Sequence, residues 1–258
     1  METIGIIAAM PQERNALLRC IEEQEYTALG TLHCHHFRLF DRDCRLVTSG
    51  MGLKRAAQAA RALIAAINPQ LLVSVGVAGA VNADLEIGDV VAARDTCLLE
   101  NGMPGRFQPL AILSDAARQA IVQALQPRGA SLYDGTTVST YGSQFVQRQS
   151  EELANPVLEM ETEGIARVAA EQGIPLLSLR AISDGPRAPI PFNLETMVDE
   201  QYNLRTGRII KTILGHPQIV PQLLRMGRNT RLAAGNAAIA LIAALNQPDP
   251  VYVPKSVT

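Results

Sequence analysis

Three carboxylates crowd one short segment, Val157-Leu158-Glu159-Met160-Glu161-Thr162-Glu163-Gly164-Ile165-Ala166, where an apolar run meets a helix start. Side chains alternate along an extended chain, so Glu159 and Glu161 lie on one side of it. Glu163 suits the first helical turn, where the dipole is positive. Dipole compensation does not account for Glu159 and Glu161, which stand before and at the turn, beside Met160. Carboxylates at the carboxyl end of a strand point into the crevice where open α/β sheets bind ligands. There they suit a ligand rich in hydroxyl donors, such as a ribose. A second carboxyl, Asp184, follows the apolar run Arg180-Ala181-Ile182-Ser183 and precedes Gly185-Pro186. It reads either as a turn former or as a partly desolvated acid, hydrogen-bonded by Ser183, that holds a proton at neutral pH and donates it.

Other chemistries are poorly supported. Ser49-Gly50-Met51-Gly52 and Gly76-Val77-Ala78-Gly79 are glycine clusters after two different strands, but neither is a dinucleotide or triphosphate fingerprint. Taken singly they read as tight turns needing positive φ; together they reach the same crevice. His33, Cys34, His35 and His36 alternate faces on a strand and cannot converge on a metal, so no metal is expected. A Gly-x-Ser-x-Gly nucleophile turn is absent.

The elements that must position these residues alternate. Apolar runs at 3–9, 70–77, 89–93, 131–139, 157–160 and 175–183 read as strands, with two or three more within 25–48. Helices are expected over 13–20, 54–67, 114–126 and 161–171, the first with Pro11 in a first-turn place. That rhythm predicts an α/β chain with a largely parallel sheet and helices on both faces. Residues 194–245 depart from it and read as two or three amphipathic helices, broken at Pro217 and Pro221 and joined last at Arg225-Met226-Gly227-Arg228. The final helix, 230–245, carries Ala and Leu on nearly every turn. It packs on the sheet or on a partner chain. No linker or repeat divides the 258 residues, which read as a single domain with 187–258 as its helical extension. A hydrophobic fraction of 47% supplies a large core, while a net charge of −2 gives nucleic acid no reason to bind. No run is long enough for a membrane span, and the four cysteines without CxxC spacing read as reduced thiols of a cytoplasmic protein.

Ile4-Gly5-Ile6-Ile7-Ala8-Ala9-Met10-x-x-Glu13, Ser49-Gly50-Met51-Gly52, Val75-Gly76-Val77-Ala78-Gly79-Ala80, Glu159-Met160-Glu161 and Arg180-Ala181-Ile182-Ser183-Asp184 together resemble the nucleoside phosphorylase superfamily. Within it the chain looks most like the methylthioadenosine/S-adenosylhomocysteine nucleosidases. The resemblance implies a three-layer α/β/α sandwich around a mixed, largely parallel, twisted sheet. It also implies cleavage of the N-glycosidic bond of a purine nucleoside without a cofactor, in a homodimer. By the same resemblance Glu13 activates the attacking water, Glu161 holds the ribose hydroxyls over Met160, and Asp184, held by Ser183, protonates the purine at N7. Phe145 stacks on the base and Val146 offers it backbone contacts. Met51, Val77, Ala78, Gly79, Glu159 and Arg180 complete the lining. Two departures stand out. Val77 replaces a usual Ser, and the helical tail is longer than in those nucleosidases, as in relatives thought to act on adenosylhopane, a nucleoside with a bulky apolar group. A phosphorylase is the alternative to a hydrolase, but where bacterial phosphorylases carry Arg this chain has Glu13 and Ser74, leaving Arg14, Arg38 or Arg45 as possible phosphate ligands. A nucleoside-binding module without catalysis is disfavoured, since a binder has no use for both a base and an acid.

Overall fold

The computed structural model describes residues 2–141, 153–187 and 220–252. In chain order these form β1 (Glu2–Ala8), α1 (Pro11–Leu18), β2 (Glu25–Leu29), β3 (Leu32–Leu39), β4 (Arg42–Thr48), α2 (Leu53–Ile67), β5 (Leu71–Ala80) and β6 (Val90–Glu100). Three two-residue strands follow, β7 (Met103–Pro104), β8 (Gln108–Pro109) and β9 (Ile112–Leu113), then α3 (Asp115–Leu125), β10 (Leu132–Ser139), β11 (Val157–Glu159), α4 (Thr162–Glu171), β12 (Leu176–Asp184), α5 (Val220–Leu245) and β13 (Val251–Tyr252). The strands and helices expected before residue 187 are present, while the part of the expected helical tail over 194–219, with its break at Pro217, lies outside the described residues. The largest differences are β6, which continues to Glu100, and β5, which continues to Ala80.

One twisted sheet runs β11-β10-β6-β12-β5-β1-β4-β3-β2. Its middle is parallel (β4 with β1, β1 with β5, β5 with β12), whereas β12 with β6 and the β2-β3-β4 meander are antiparallel. The sheet also curls until β11 pairs a second time, antiparallel to the end of β5 through Val157–Ala80 and Leu158–Gly79. That closure brings the acidic segment against the carboxyl end of the central strand.

Alternation divides the core. Ile4, Ile6, Leu71, Val73, Val75, Leu177 and Leu179 face a layer of α1, α3 and α5, while Ile7, Val47 and Leu72 face α2 and α4. The architecture is therefore three layers, α/β/α. The expected junction at Arg225–Arg228 does not exist, because α5 runs unbroken for 26 residues and holds Pro221 in its first turn, where a missing N–H costs no hydrogen bond. Helix α5 packs on the sheet, one of the two placements expected for it. Ala233, Ala237, Ala240, Leu241, Ala244 and Leu245 are buried against the sheet, since small side chains let a helix lie close to strands. Its end is tied down by Arg42, whose guanidinium donates to the carbonyls of Leu245, Gln247 and Pro248 and pairs with Glu2 at 2.6 Å. No helix among the described residues is long and apolar enough to cross a membrane.

Candidate active site

Glu13 lies in the first turn of α1, yet it is buried. Its Oε2 accepts the Met10 N–H at 2.8 Å, the local half of a capping box. Its Oε1 accepts the Val77 N–H at 2.9 Å, a contact no local rule supplies. Burial pushes the Glu13 carboxyl above its ordinary value, against the opposing pull of Arg180 and of backbone N–H groups. Strand β5 comes this close because Gly76 has no side chain. A Cβ there would strike Glu13 Oε1 and stand 2.6 Å from Arg180 Nη1. The side chain of Val77 is partly buried against the α1/α5 core, so a residue that replaces a usual Ser still serves Glu13 through its backbone.

Glu159 and Glu161 occupy one buried cluster but have different partners. Glu161 Oε1 accepts the Gly52 N–H at 2.8 Å. The turn that presents this N–H needs Gly50 and Gly52 at φ +78° and +102°, a region costly for other residues. Helices α2 and α4 meet closely enough for this because Gly164 packs on the Leu53 carbonyl. Burial, and after it the Glu159 charge, raise the Glu161 pKa to about 8, with Arg180 pulling the other way. Glu159 faces inward. Its Oε2 accepts from the N–H groups of Glu161 (2.9 Å) and Thr162 (2.7 Å), from Thr162 Oγ1 (2.9 Å) and from Arg180 Nη2 (2.9 Å), and its Oε1 accepts from Ser139 Oγ. Arg180, 1% exposed, is itself shared with Ser74 Oγ at 2.6 Å and Thr162 Oγ1 at 2.9 Å.

Asp184 ends β12 just after a bulge, which leaves Ser183 unpaired between Ile182–Ala78 and Asp184–Gly79. A bulge re-aims the side chains beside it. Here it turns the Asp184 carboxyl over Gly79, whose missing Cβ would lie 2.7 Å from Oδ2. Ser183 Oγ donates to Asp184 Oδ1 at 2.6 Å. Burial nonetheless raises the Asp184 pKa, and the serine bond only moderates it. Gly76 and Gly79 were expected to serve turns; both instead lie inside β5 without positive φ and permit close approach. The stretch from Val77 to Gly79 therefore separates the Glu13 end of the site from the Asp184 end by two residues, about 7 Å at the usual strand rise.

Ala78 is buried between these ends, with Met51 and Met160 half-buried. Phe145 and Val146 lie outside the described residues. The arginines named as phosphate ligands for the phosphorylase alternative are engaged elsewhere or turned outward. Arg14 donates to Asn15 Oδ1, Arg45 pairs with Asp43, and Arg38 is exposed. Sequence reasoning named Ser74 only as the residue found where bacterial phosphorylases carry Arg and Gly52 only within a glycine cluster, and it missed the roles of Ser139 and Thr162. A lone Ser within Leu71-Leu72-Val73-Ser74-Val75 was a readable signal, because a buried hydroxyl needs a partner. Ser139 carries no such mark.

The model of the phosphorylase superfamily matches residues 3–215 of this chain. A 5′-methylthioadenosine/S-adenosylhomocysteine nucleosidase of Haemophilus influenzae (strain PittEE) is 29% identical over 200 residues, which cover 70% of this chain and 86% of the relative. Among solved structures, the nucleosidase of that name from Neisseria meningitidis, in complex with methylthio-immucillin-A, has a TM-score of 0.67 at 19% identity. The match covers 94% of this chain and 98% of that one. The futalosine hydrolase of Helicobacter pylori strain 26695 has a TM-score of 0.68 at 20% identity, covering 95% and 97%.

Proposed function

The chain belongs to the phosphorylase superfamily, and on that footing we propose that it hydrolyses the N-glycosidic bond of a purine nucleoside, with an adenine nucleoside bearing a 5′ thioether as the substrate. Glu13 takes a proton from the attacking water, the water oxygen bonds to C1′, and the C1′–N9 bond breaks. Asp184 delivers its proton to N7, so the purine leaves neutral. Glu161 accepts from the ribose hydroxyls over Met160, and its negative charge offsets the positive charge that grows on the sugar ring. Phe145 and Val146 hold the base.

One observation carries the reading. Two carboxyls, Glu13 buried and Asp184 partly buried, both raised by desolvation, stand at opposite ends of Val77–Gly79, and the proposed reaction uses the first as its base and the second as its acid. A carboxylate at the Glu13 position also disfavours phosphate as the nucleophile, since like charges about 4 Å apart repel by roughly 4 kcal/mol at an effective dielectric near 20. The nucleosidase relatives support hydrolysis. The test is product mass from a panel of adenosine derivatives, including one with a bulky apolar 5′ group, in phosphate-free buffer and after phosphate is restored. Free adenine with a free ribose derivative in both conditions is expected. A sugar-1-phosphate, or strict dependence on phosphate, would overturn hydrolysis in favour of phosphorolysis.

A further inference from the structure

Glu159 resembles a sugar ligand in sequence, yet its surroundings are those of a structural anion. Five protein donors converge on its two oxygens: two backbone N–H groups at the start of α4, the hydroxyls of Thr162 and Ser139, and Arg180. Ser139 Oγ in turn accepts the Glu163 N–H at 3.0 Å, which directs its own proton toward Glu159. The carboxylate thus fixes the backbone on which Glu161 is mounted and the guanidinium that stands beside Gly76, opposite Glu13.

We propose, on the reading of this site as a nucleoside hydrolase, that Glu159 is a positioning residue: it never meets the substrate, but orients Glu161 through the α4 start and balances the charge of Arg180 between Glu161 and Glu13. The groups facing Glu161 are Glu159 from β11, Arg180 from β12, Glu13 from α1 and the Gly52 N–H ahead of α2. Of the charged ones, Glu159 and Glu13 hinder ionisation of Glu161 and Arg180 assists it. Removing the Glu159 charge leaves Arg180 uncompensated beside a carboxyl that must be ionised to hold a cationic sugar.

The experiment compares kcat/KM against pH for the wild-type protein, Glu159→Gln and Glu159→Asp, with adenine release as readout and thermal melting as the check on folding. In folded Glu159→Gln the acid limb is expected to move to lower pH by about one unit, with kcat reduced and affinity for free adenine kept. An acid limb that stays in place, or moves up, overturns the proposal, because a residue that only caps a helix would lower stability or rate without moving the limb. If Glu159→Gln does not fold, Glu159→Asp decides. It keeps the charge at shorter reach, so an unmoved limb with kcat/KM at least about tenfold lower is expected, and wild-type kcat/KM would overturn the positioning role. A wild-type protein that releases no adenine from any nucleoside refutes the hydrolase reading itself, an outcome distinct from either variant result.

Discussion

Substituting Gly76 by Ala tests the site's geometry with one methyl group. The added Cβ would collide with Glu13 Oε1, stand 2.8 Å from Glu13 Cδ and 2.6 Å from Arg180 Nη1. Arg180 is clamped by Ser74, Glu159 and Thr162, so the Glu13 carboxyl is the group that yields. Moving it by about 1 Å breaks the 2.9 Å bond from the Val77 N–H, a charged hydrogen bond of roughly 1.5–3 kcal/mol. The base is then also misplaced relative to water, which by itself costs about 10² in rate. The combined loss in kcat is expected to be on the order of 10³–10⁴. Steady-state adenine release measures it, with calorimetric titration of free adenine and a melting curve as controls. On the proposed reading adenine is bound at the Gly79 end of the strand, so its affinity is expected to stay within a few-fold. A Gly76→Ala protein with turnover within threefold of wild type would refute the placement of Glu13 against β5.

Three further substitutions separate the remaining parts. Asp184→Asn is expected to lower kcat by about 10²–10⁴ with the fold intact, by loss of the general acid; the assay is single-turnover adenine release, and near-wild-type rate would remove Asp184 from the mechanism. Wild-type kcat/KM is expected to rise as pH approaches about 8, where Glu161 ionises, and Glu161→Gln should lose that rise while binding free adenine normally; an equal fall in adenine affinity would place Glu161 at the base instead of the sugar. Arg42→Ala leaves three carbonyls at the end of α5 without their donor and is expected to cost about 2–4 kcal/mol, a melting point lower by roughly 5–10 °C, with kcat unchanged at 25 °C.

Local sequence determined much of this protein. Buried parallel strands need continuous apolar runs, and Ile4-Gly5-Ile6-Ile7 and Leu71-Leu72-Val73 are legible as such. Pro11 and Glu13 mark a helix start by rules that act within four residues. The ordering of five motifs was enough to place the chain in its superfamily. Tertiary structure alone decided the rest, because those contacts join residues far apart in the chain. The 2.8 Å bond from Gly52 to Glu161 spans 109 residues, and the bond from Val77 to Glu13 spans 64. Gly76 and Gly79 read as turn glycines from sequence; only the packing of β5 against Glu13 and Asp184 reveals that the space of a missing Cβ is what each provides. Glu159 and Glu161 are equivalent by their spacing of two, yet the first turns in to Arg180 and the start of α4 while the second turns to Gly52. Periodicity assigns a side chain to a face, but the partner it meets there is set by which strands and helices the rest of the chain brings to that face.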